Sequence, residues 1–382
     1  MKNIDIINFS DCVYSNRHGR YGGNAGDKDG IIYNNENWII KYPKNTKSMM
    51  GDNLPHYTSA PLSEYIGSHI YEILGYDVHE TLLGIRQNKL VVACKDFQKH
   101  FGDLGEIRTL KNAAHEQMEG LTDDEIPISA TGDKVNLNEL FFHLENNPLM
   151  QLPGLKERFY DQIIIDIFIN NNDRNNSNWG ILYEEDGNKL APVFDNGNAF
   201  NNKTDDLGII KIMALSENDR INRVIGERTA YSINDKVLSA KKILNFDNDD
   251  IKKALIRNVP LIKENMNNIK EMINNIPEEF QGISICSKER KEFYLFSLNT
   301  RLEKLLEPAY EKAVEQLRAP YTVEYYSIND SGNTSFKEFN SFMDAKNFID
   351  NLDDNNFNAC MYEGVHVENP EQEVDDIELG DE

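Results

Sequence analysis

Asn172-Asp173-Arg174-Asn175-Asn176-Ser177-Asn178 and, seventeen residues further on, Asp195-Asn196-Gly197 hold the side chains of this 382-residue chain best suited to chemistry. Two carboxylates and an amide oxygen form the set that phosphoryl transfer from a nucleotide needs. One carboxylate orients or deprotonates the acceptor hydroxyl, a second holds Mg2+ against the phosphates, and an amide oxygen completes the metal shell. Asp173 and Asn178 fit the first and third roles, and Asp195 the second. Their D-x4-N spacing is not distinctive alone, because Asp29…Asn34, Asp166…Asn171 and Asp353…Asn358 repeat it. Context singles out Asp173: an apolar segment precedes it, a hairpin follows Asn178, and Asp-Asn-Gly closes the second strand. The alternative is an Asn-rich turn with Asp195 at an ordinary strand end.

The elements that must position these residues can be read on either side. Leu155 to Ile169 is apolar on nearly every face, interrupted by Asp166, and its length favours a buried helix over a strand. Ile181-Leu182-Tyr183 and Lys189-Leu190-Ala191-Pro192-Val193-Phe194 flank a turn at Glu184 to Asn188. Upstream, Gly30 to Tyr33 and Trp38 to Tyr42 read as strands around an Asn34 to Asn37 turn, and Val78 to Leu83 and Lys89 to Ala93 as further strands. Pro61 suits a helix start, and Leu62, Tyr65/Ile66, His69/Ile70 and Ile73/Leu74 continue at helical spacing to Gly75. Lys41 lies in an apolar strand, a poor place for an ammonium without an anion. Glu64, early in the helix, is the candidate anion, and such a pair suits nucleotide phosphates. The competing readings are an edge-strand lysine reaching water and a glutamate placed for the helix dipole. Gly22, Gly23, Gly26 and Lys28 form a glycine-rich run before the Lys41 strand whose amides could cradle phosphates.

Acidic residues number 64 against 40 Lys and Arg, a net charge of −24, which argues against direct nucleic-acid contact and against docking on anionic membranes. Hydrophobic residues make up 40% and charged residues 27%, enough for a sizeable core. Cys12, Cys94, Cys286 and Cys360 form no metal or disulfide pattern. Met1 to Asp5 lacks a signal-peptide core, and no apolar run reaches the roughly 18 residues of a membrane span, so a cytoplasmic, reduced protein is expected. The expected organisation has four parts. Residues 1–97 form a β-rich lobe with one helix. Residues 98–319 are helical and carry both functional loops. Residues 320–367 form a small β-α-β appendage, and 368–382 an acidic, disordered tail.

In order, Tyr21 to Lys28, Trp38 to Pro43, Leu62 to Tyr65, Val92 to Phe97, Asn172 to Asn178 and Leu190 to Asn196 resemble the HipA-like Ser/Thr kinases, in particular the short CtkA-like branch. The resemblance covers roughly residues 20–315. It implies an α+β, bilobal, atypical protein-kinase-like fold with ATP and Mg2+ between the lobes. It also implies Asp173 orienting or deprotonating the acceptor, Asn178 and Asp195 on the metal, Lys41 on the phosphates, and Glu64 paired with Lys41 or with the metal site. Gly22, Gly23, Gly26 and Lys28 would lie at the ATP phosphates, and the backbone of Cys94, Lys95, Asp96 and Phe97 at the adenine. Family members phosphorylate proteins and often themselves, and some are toxins restrained by an antitoxin, so an antitoxin-like regulator enters as a candidate partner. The glycine-rich run has no serine of the kind that family loops use for inhibitory autophosphorylation; Ser10 and Ser15 lie upstream. The loop motifs are also similar to type II phosphatidylinositol 4-kinases. The expectation is an ATP/Mg2+-dependent protein kinase. A lipid kinase and a nucleotide-binding pseudokinase or interaction module are the alternatives.

Overall fold

The computed structural model describes residues 4–21, 28–44, 58–113, 135–234, 236–317, 321–327, 330–339, 342–352 and 356–363. Gly22, Gly23 and Gly26 and the acidic tail lie outside the described residues. The chain divides into two units, Met1–Ala309 and Tyr310–Glu382.

The first unit opens with a five-stranded sheet of order β1-β4-β5-β3-β2, built from β1 (Ile7–Asn8), β2 (Lys28–Tyr33), β3 (Glu36–Lys41), β4 (Thr81–Arg86) and β5 (Lys89–Lys95). All neighbours are antiparallel except β1 beside β4. Two tight hairpins set the register. Asn34 and Asn35 (φ 50° and 63°) turn β2 into β3, and Gln87 and Asn88 (φ 52° and 59°) turn β4 into β5. Consecutive positive φ values are those of the two-residue turns whose twist matches paired strands, and asparagine tolerates them well. The turn expected over Asn34 to Asn37 is therefore shorter, and Glu36 and Asn37 belong to β3. The period-2 alternation of β3 places Trp38 and Ile40 in a core with Phe9, Ile31, Tyr42, Val91 and Ala93. Lys41 is consequently on the opposite face, in an interior strand rather than at a sheet edge.

Helix α1 (Ala60–Ile73) begins with proline in its first turn and stops at Gly75, whose φ of +83° ends the helical path. Its residues are buried on nearly all sides, Glu64 among them.

The described residues between 104 and 317 are mostly helical, interleaved with short strands. In chain order come β6 (Leu104–Glu106), α2 (Ile107–Asn112), β7 (Val135–Asn136), α3 (Leu137–Asn146) and α4 (Leu155–Ile169). Then follow β8 (Gly180–Leu182), β9 (Lys189–Leu190), α5 (Asp206–Met213), α6 (Glu217–Ile225), β10 (Arg228–Ile233), β11 (Lys236–Ser239) and α7 (Ala240–Leu244). The long α8 (Asp249–Asn275), the hairpin β12 (Glu279–Phe280) and β13 (Ile283–Ser284), α9 (Lys288–Arg301) and α10 (Glu307–Leu317) complete the run. Helix α4 is the buried helix that its all-round apolarity predicts, and α8 packs along it. Between α9 and α10, Leu302–Leu306 forms a π turn. Pro308 follows after one residue, Glu307; it lacks the N–H of a regular helix and its ring crowds the preceding turn, which accounts for the wider winding there. Asn170 (φ 56°) ends α4 in a left-handed residue and directs the chain into the Asn171 to Asn178 loop.

The second unit has one strand more than the expected β-α-β. β14 (Tyr321–Ser327) lies between β15 (Asp330–Phe339) and β16 (Phe357–Glu363), antiparallel to both. Helix α11 (Phe342–Asp350) covers a core of Val323, Ala345 and Met361. β15 opens on Asp330-Ser331-Gly332-Asn333, whose polarity masks its pairing in the sequence. No helix among the described residues is long and apolar enough to cross a membrane. All four cysteines are free thiols.

Candidate active site

Lys41, Glu64 and Asp195 come from three separate elements and meet at one point. Lys41 ends β3, Glu64 lies on the face of α1 turned to the sheet, and Asp195 follows the Val193 segment that bridges to Val78 in parallel. Lys41 Nζ lies 3.0 Å from Glu64 Oε2 and 2.9 Å from Asp195 Oδ1. Glu64 is almost fully buried and its second oxygen is also engaged. Its Oε1 lies 3.0 Å from His79 Nε2 and accepts the Asn196 backbone N–H at 3.1 Å. Burial opposes the Lys41 ammonium, but Asp195 and Glu64 outweigh it and hold its pKa well above the ordinary value. Burial likewise works against the Glu64 carboxylate, and Lys41 and His79 overcome it, so Glu64 stays ionised well below the usual range. Asp195, opposed by burial and held by Lys41, is also lowered. The cation and its two anions are mutually dependent.

Asp195 itself has φ of 62°. Its neighbours on both sides are tied down. The Phe194 carbonyl accepts from Arg174 Nη1 at 2.5 Å, while Asn196 is held through its backbone N–H by Glu64 and through its side chain by Ser68 and Arg174. The close passage of α1 over this loop depends on Gly67, where a Cβ would come within 2.8 Å of Asn196 Cβ.

The Asp173 loop is braced from within. Asn178 Nδ2 donates to the Asp173 carbonyl at 2.8 Å, and Asn178 N donates to Asn175 O. The Asn178 amide nitrogen is thus directed into its own loop, and its oxygen lies on the opposite side of the amide group. Asp173 Oδ2 accepts from Asn198 Nδ2 at 2.7 Å, which links the Asp173 loop to the Asp195 loop. Asp173 is solvent-exposed, yet desolvation by its crowded surroundings, and then the Asp195 charge, push its pKa up from 3.8.

The stretch after β5 is held by its own side chains. Lys95 pairs with Glu36 and Glu80 at 2.7 and 3.3 Å. Asp96 accepts from Arg17 Nη1 at 2.6 Å and from Tyr21 OH at 2.8 Å. The backbone N–H groups of Lys95 and Asp96 donate to Glu80 O and Asn37 O. Phe97 packs against Phe194, ring centroids 5.5 Å apart. The Cys94 side chain points inward, its sulfur grouped with Glu64 and His79 donor atoms within 4.8 Å of one another, and burial raises its thiol pKa. Lys28, opposite Lys41 in the β2–β3 register, is partly buried, and burial followed by the Lys41 charge lowers its pKa.

The structure thus brings together Lys41, Glu64, Asp195, Asp173 and Asn178, with Lys28 and the Cys94 to Phe97 stretch bordering them. Sequence reasoning missed Asp166, Arg174, Asn196, Asn198, His79 and Ser68. A signal existed for one of them: a carboxylate within Ile163-Ile164-Ile165-Asp166-Ile167-Phe168 must find a partner once the helix is buried. The others belong to non-local contacts with no local mark.

No family model matches the sequence. The chain is 32% identical over 348 residues to the serine/threonine-protein kinase CtkA of Helicobacter pylori strain J99, covering 87% of this chain and 97% of that protein. The crystal structure of a proinflammatory kinase CtkA from Helicobacter pylori superimposes with a TM-score of 0.68 at 30% identity, over 81% of this chain and 99% of that one. HipA of Shewanella oneidensis MR-1, in its complex with HipB and operator DNA, is similar at a TM-score of 0.45 and 14% identity over 77% of this chain and 69% of that one, too slight a likeness to carry weight.

Proposed function

The chain belongs to the CtkA family of serine/threonine-protein kinases, and from that membership we propose that it transfers the γ-phosphate of ATP to a protein hydroxyl, with Mg2+ as the metal. The observation that carries this reading is Lys41 held between Glu64 and Asp195, with Asp173 tied to the same loop through Asn198. The donor set fits the metal: a carboxylate from Asp195 and an amide oxygen from Asn178 are hard oxygen ligands of the kind Mg2+ takes. When bound, the ion supplies neutralisation of phosphate charge.

This chain's residues would then act as follows. Lys41, fixed by Glu64, presents Nζ to the phosphates. Asp173 Oδ2 is occupied by Asn198, so Oδ1 accepts the hydroxyl hydrogen of the acceptor. Its raised pKa suits it to that task. Lys28 adds positive charge beside Lys41, and the glycine-rich run that contains Gly22, Gly23 and Gly26 meets the phosphates. The backbone from Cys94 to Phe97 borders the adenine, with Phe97 beyond the two amides already engaged by the sheet. A protein acceptor, autophosphorylation and a cytoplasmic location belong to the same reading. An antitoxin-like regulator would be sought as a co-purifying partner.

The test is label transfer from γ-labelled ATP with Mg2+, wild type beside Asp173→Asn, offering myelin basic protein and phosphoinositide vesicles. Label on protein, reduced about 10²- to 10⁴-fold in the variant with nucleotide binding retained, is the expected outcome. Label on lipid would transfer the assignment to a lipid kinase. Bound ATP with no label anywhere would leave a nucleotide-gated binding module.

A further inference from the structure

Arg174 is the most heavily engaged side chain near the site, and the proposed chemistry assigns it no part. It is 1% exposed, and its five N–H groups make five hydrogen bonds. Nε and Nη2 form a fork onto Asp166 at 2.8 and 2.9 Å. Nη1 donates to the carbonyls of Asn178 at 3.2 Å and Phe194 at 2.5 Å, and Nη2 donates to Asn196 Oδ1 at 2.6 Å. Those acceptors are the carbonyl of the candidate metal ligand Asn178 and the two residues flanking the other, Asp195. Asp166 is equally buried and fully engaged: Tyr71 OH donates to Oδ1 at 3.0 Å, Asn171 Nδ2 to the same oxygen at 3.3 Å, and Tyr231 OH to Oδ2 at 3.5 Å.

We infer that the buried Asp166–Arg174 pair is the positioning device of the site, fixing the Asp173–Asn178 loop and the Asp195 loop at one separation from the rigid helix α4. The inference rests on the kinase reading for what is positioned, and on the geometry alone for the coupling. Three physical points support it. A planar guanidinium presents its five donors in a fixed fork, so its acceptors cannot move independently. A charge-assisted fork onto a carboxylate is among the strongest polar contacts, and here it lies out of water. Asp166 is buried in the apolar second half of α4, among Ile163, Ile164, Ile165, Ile167, Phe168 and Ile169, where a carboxylate destabilises the fold unless it is paired. An apolar side chain at 166 would pack α4 more simply, and it would leave the buried Arg174 guanidinium without the carboxylate that orients it. Arg174 acts through Asp195 and Asn178; it touches no proposed substrate atom.

The discriminating variant is Arg174→Lys, which keeps the charge and loses the fork. Asp166→Asn, isosteric, serves as the second variant if Arg174→Lys does not fold. Lys111→Met breaks an equally buried ion pair with Glu139 (2.5 Å) elsewhere in the helical region and reports generic destabilisation. Two readouts are taken on the full chain. The first is steady-state label transfer, separating kcat from KM for ATP. The second is Mn2+ titration by electron paramagnetic resonance with a non-hydrolysable ATP analogue, which needs no catalysis. A misplacement of about 1 Å lowers rates about 10²-fold, so kcat should fall on the order of 10²-fold with KM for ATP changed less than about threefold. Mn2+ affinity should fall at least about fivefold, while Lys111→Met lowers Tm with kcat and Mn2+ affinity intact. If wild type proves catalytically silent, the kinase reading fails and the Mn2+ arm still decides the inference. Unchanged Mn2+ affinity in Arg174→Lys, absence of Mn2+ binding in wild type, or the same kinetic losses in Lys111→Met would overturn it.

Discussion

Replacing Lys41 with methionine removes the ammonium that ion-pairs with both Glu64 and Asp195 and keeps most of its apolar length. The gross attraction is large: at 3.0 and 2.9 Å, with an effective dielectric constant near 20, each contact is worth about 5–6 kcal/mol before desolvation. Most of that offsets the burial of the charges. The measurable loss on breaking a buried pair is about 3–5 kcal/mol. The Asp195 side chain is 35% exposed, so solvent screens part of its share, and about 2–4 kcal/mol is the better figure. The pH dependence follows from the signs. In wild type Glu64 and Asp195 are lowered, so their contribution is complete above their unfolded values and is lost only as pH falls through the lowered ones. Between about pH 5 and 7.5 it is therefore constant. In the variant Asp195 loses its ion-pair partner and Glu64 keeps only His79 and the Asn196 N–H, so these desolvated carboxylates are less well supported and take up protons more readily on folding. Their ionisation then destabilises the fold increasingly as pH rises. The gap between wild type and variant should be large at about pH 7.5 and clearly smaller at about pH 5. Urea unfolding followed by tryptophan fluorescence reads it cleanly, because Trp38 and Trp179, the only tryptophans, both belong to the Met1–Ala309 unit. A gap equal at the two pH values, or below about 0.5 kcal/mol at the higher one, would refute the shared-cation account.

Asp173→Asn should raise Tm at neutral pH while it lowers transfer. The folded pKa of Asp173 is raised, so its ionised form destabilises the fold once pH exceeds the unfolded value near 3.8, and the gain should vanish at pH about 3.5. An unchanged Tm at neutral pH would mean that Asp173 is no less comfortable folded than unfolded. Gly67→Ala runs against helix propensity: alanine favours a helix interior by about 1 kcal/mol, yet the added Cβ meets Asn196. Transfer should fall at least about tenfold with Asp195 displaced; full activity with raised stability would mean that α1 shifts freely over the loop.

Several parts of this arrangement were legible in the sequence because they are local. The Lys41 strand, the α1 start at Pro61, the α4 run and the D-x4-N loop each carry their own pattern of apolar spacing or turn residues. That Lys41 needs an anion followed from the cost of burying an ammonium, and Glu64 as that anion came from the resemblance to kinases. Asp195 as a second partner of Lys41 did not follow, because it depends on the chain returning 154 positions later. Arg174 reads in sequence as one more polar residue in an Asn-rich loop; its place emerges only when α4, the loop and the Asp195 segment are assembled. The third strand of the C-terminal unit was hidden for a different reason. β15 opens on the polar run Asp330 to Ser335, which carries no alternating apolar pattern, and its pairing with β14 is by backbone.

The left-handed backbone at Asp195 limits how this position can drift over generations. An aspartate codon reaches Asn, Gly, Glu, Ala, Val, His and Tyr by one base change. Asn and Gly accept a φ near 62° readily, and both discard the charge. Glutamate keeps the charge but is poorly suited to the left-handed region, at a penalty of about 1–2 kcal/mol, and its carboxylate reaches one methylene too far for Lys41. The acid here is thus poorly replaceable by the other acid. Lineages that lose it have an easy path to a folded, uncharged relative without the proposed metal ligand, and no easy path to a working alternative.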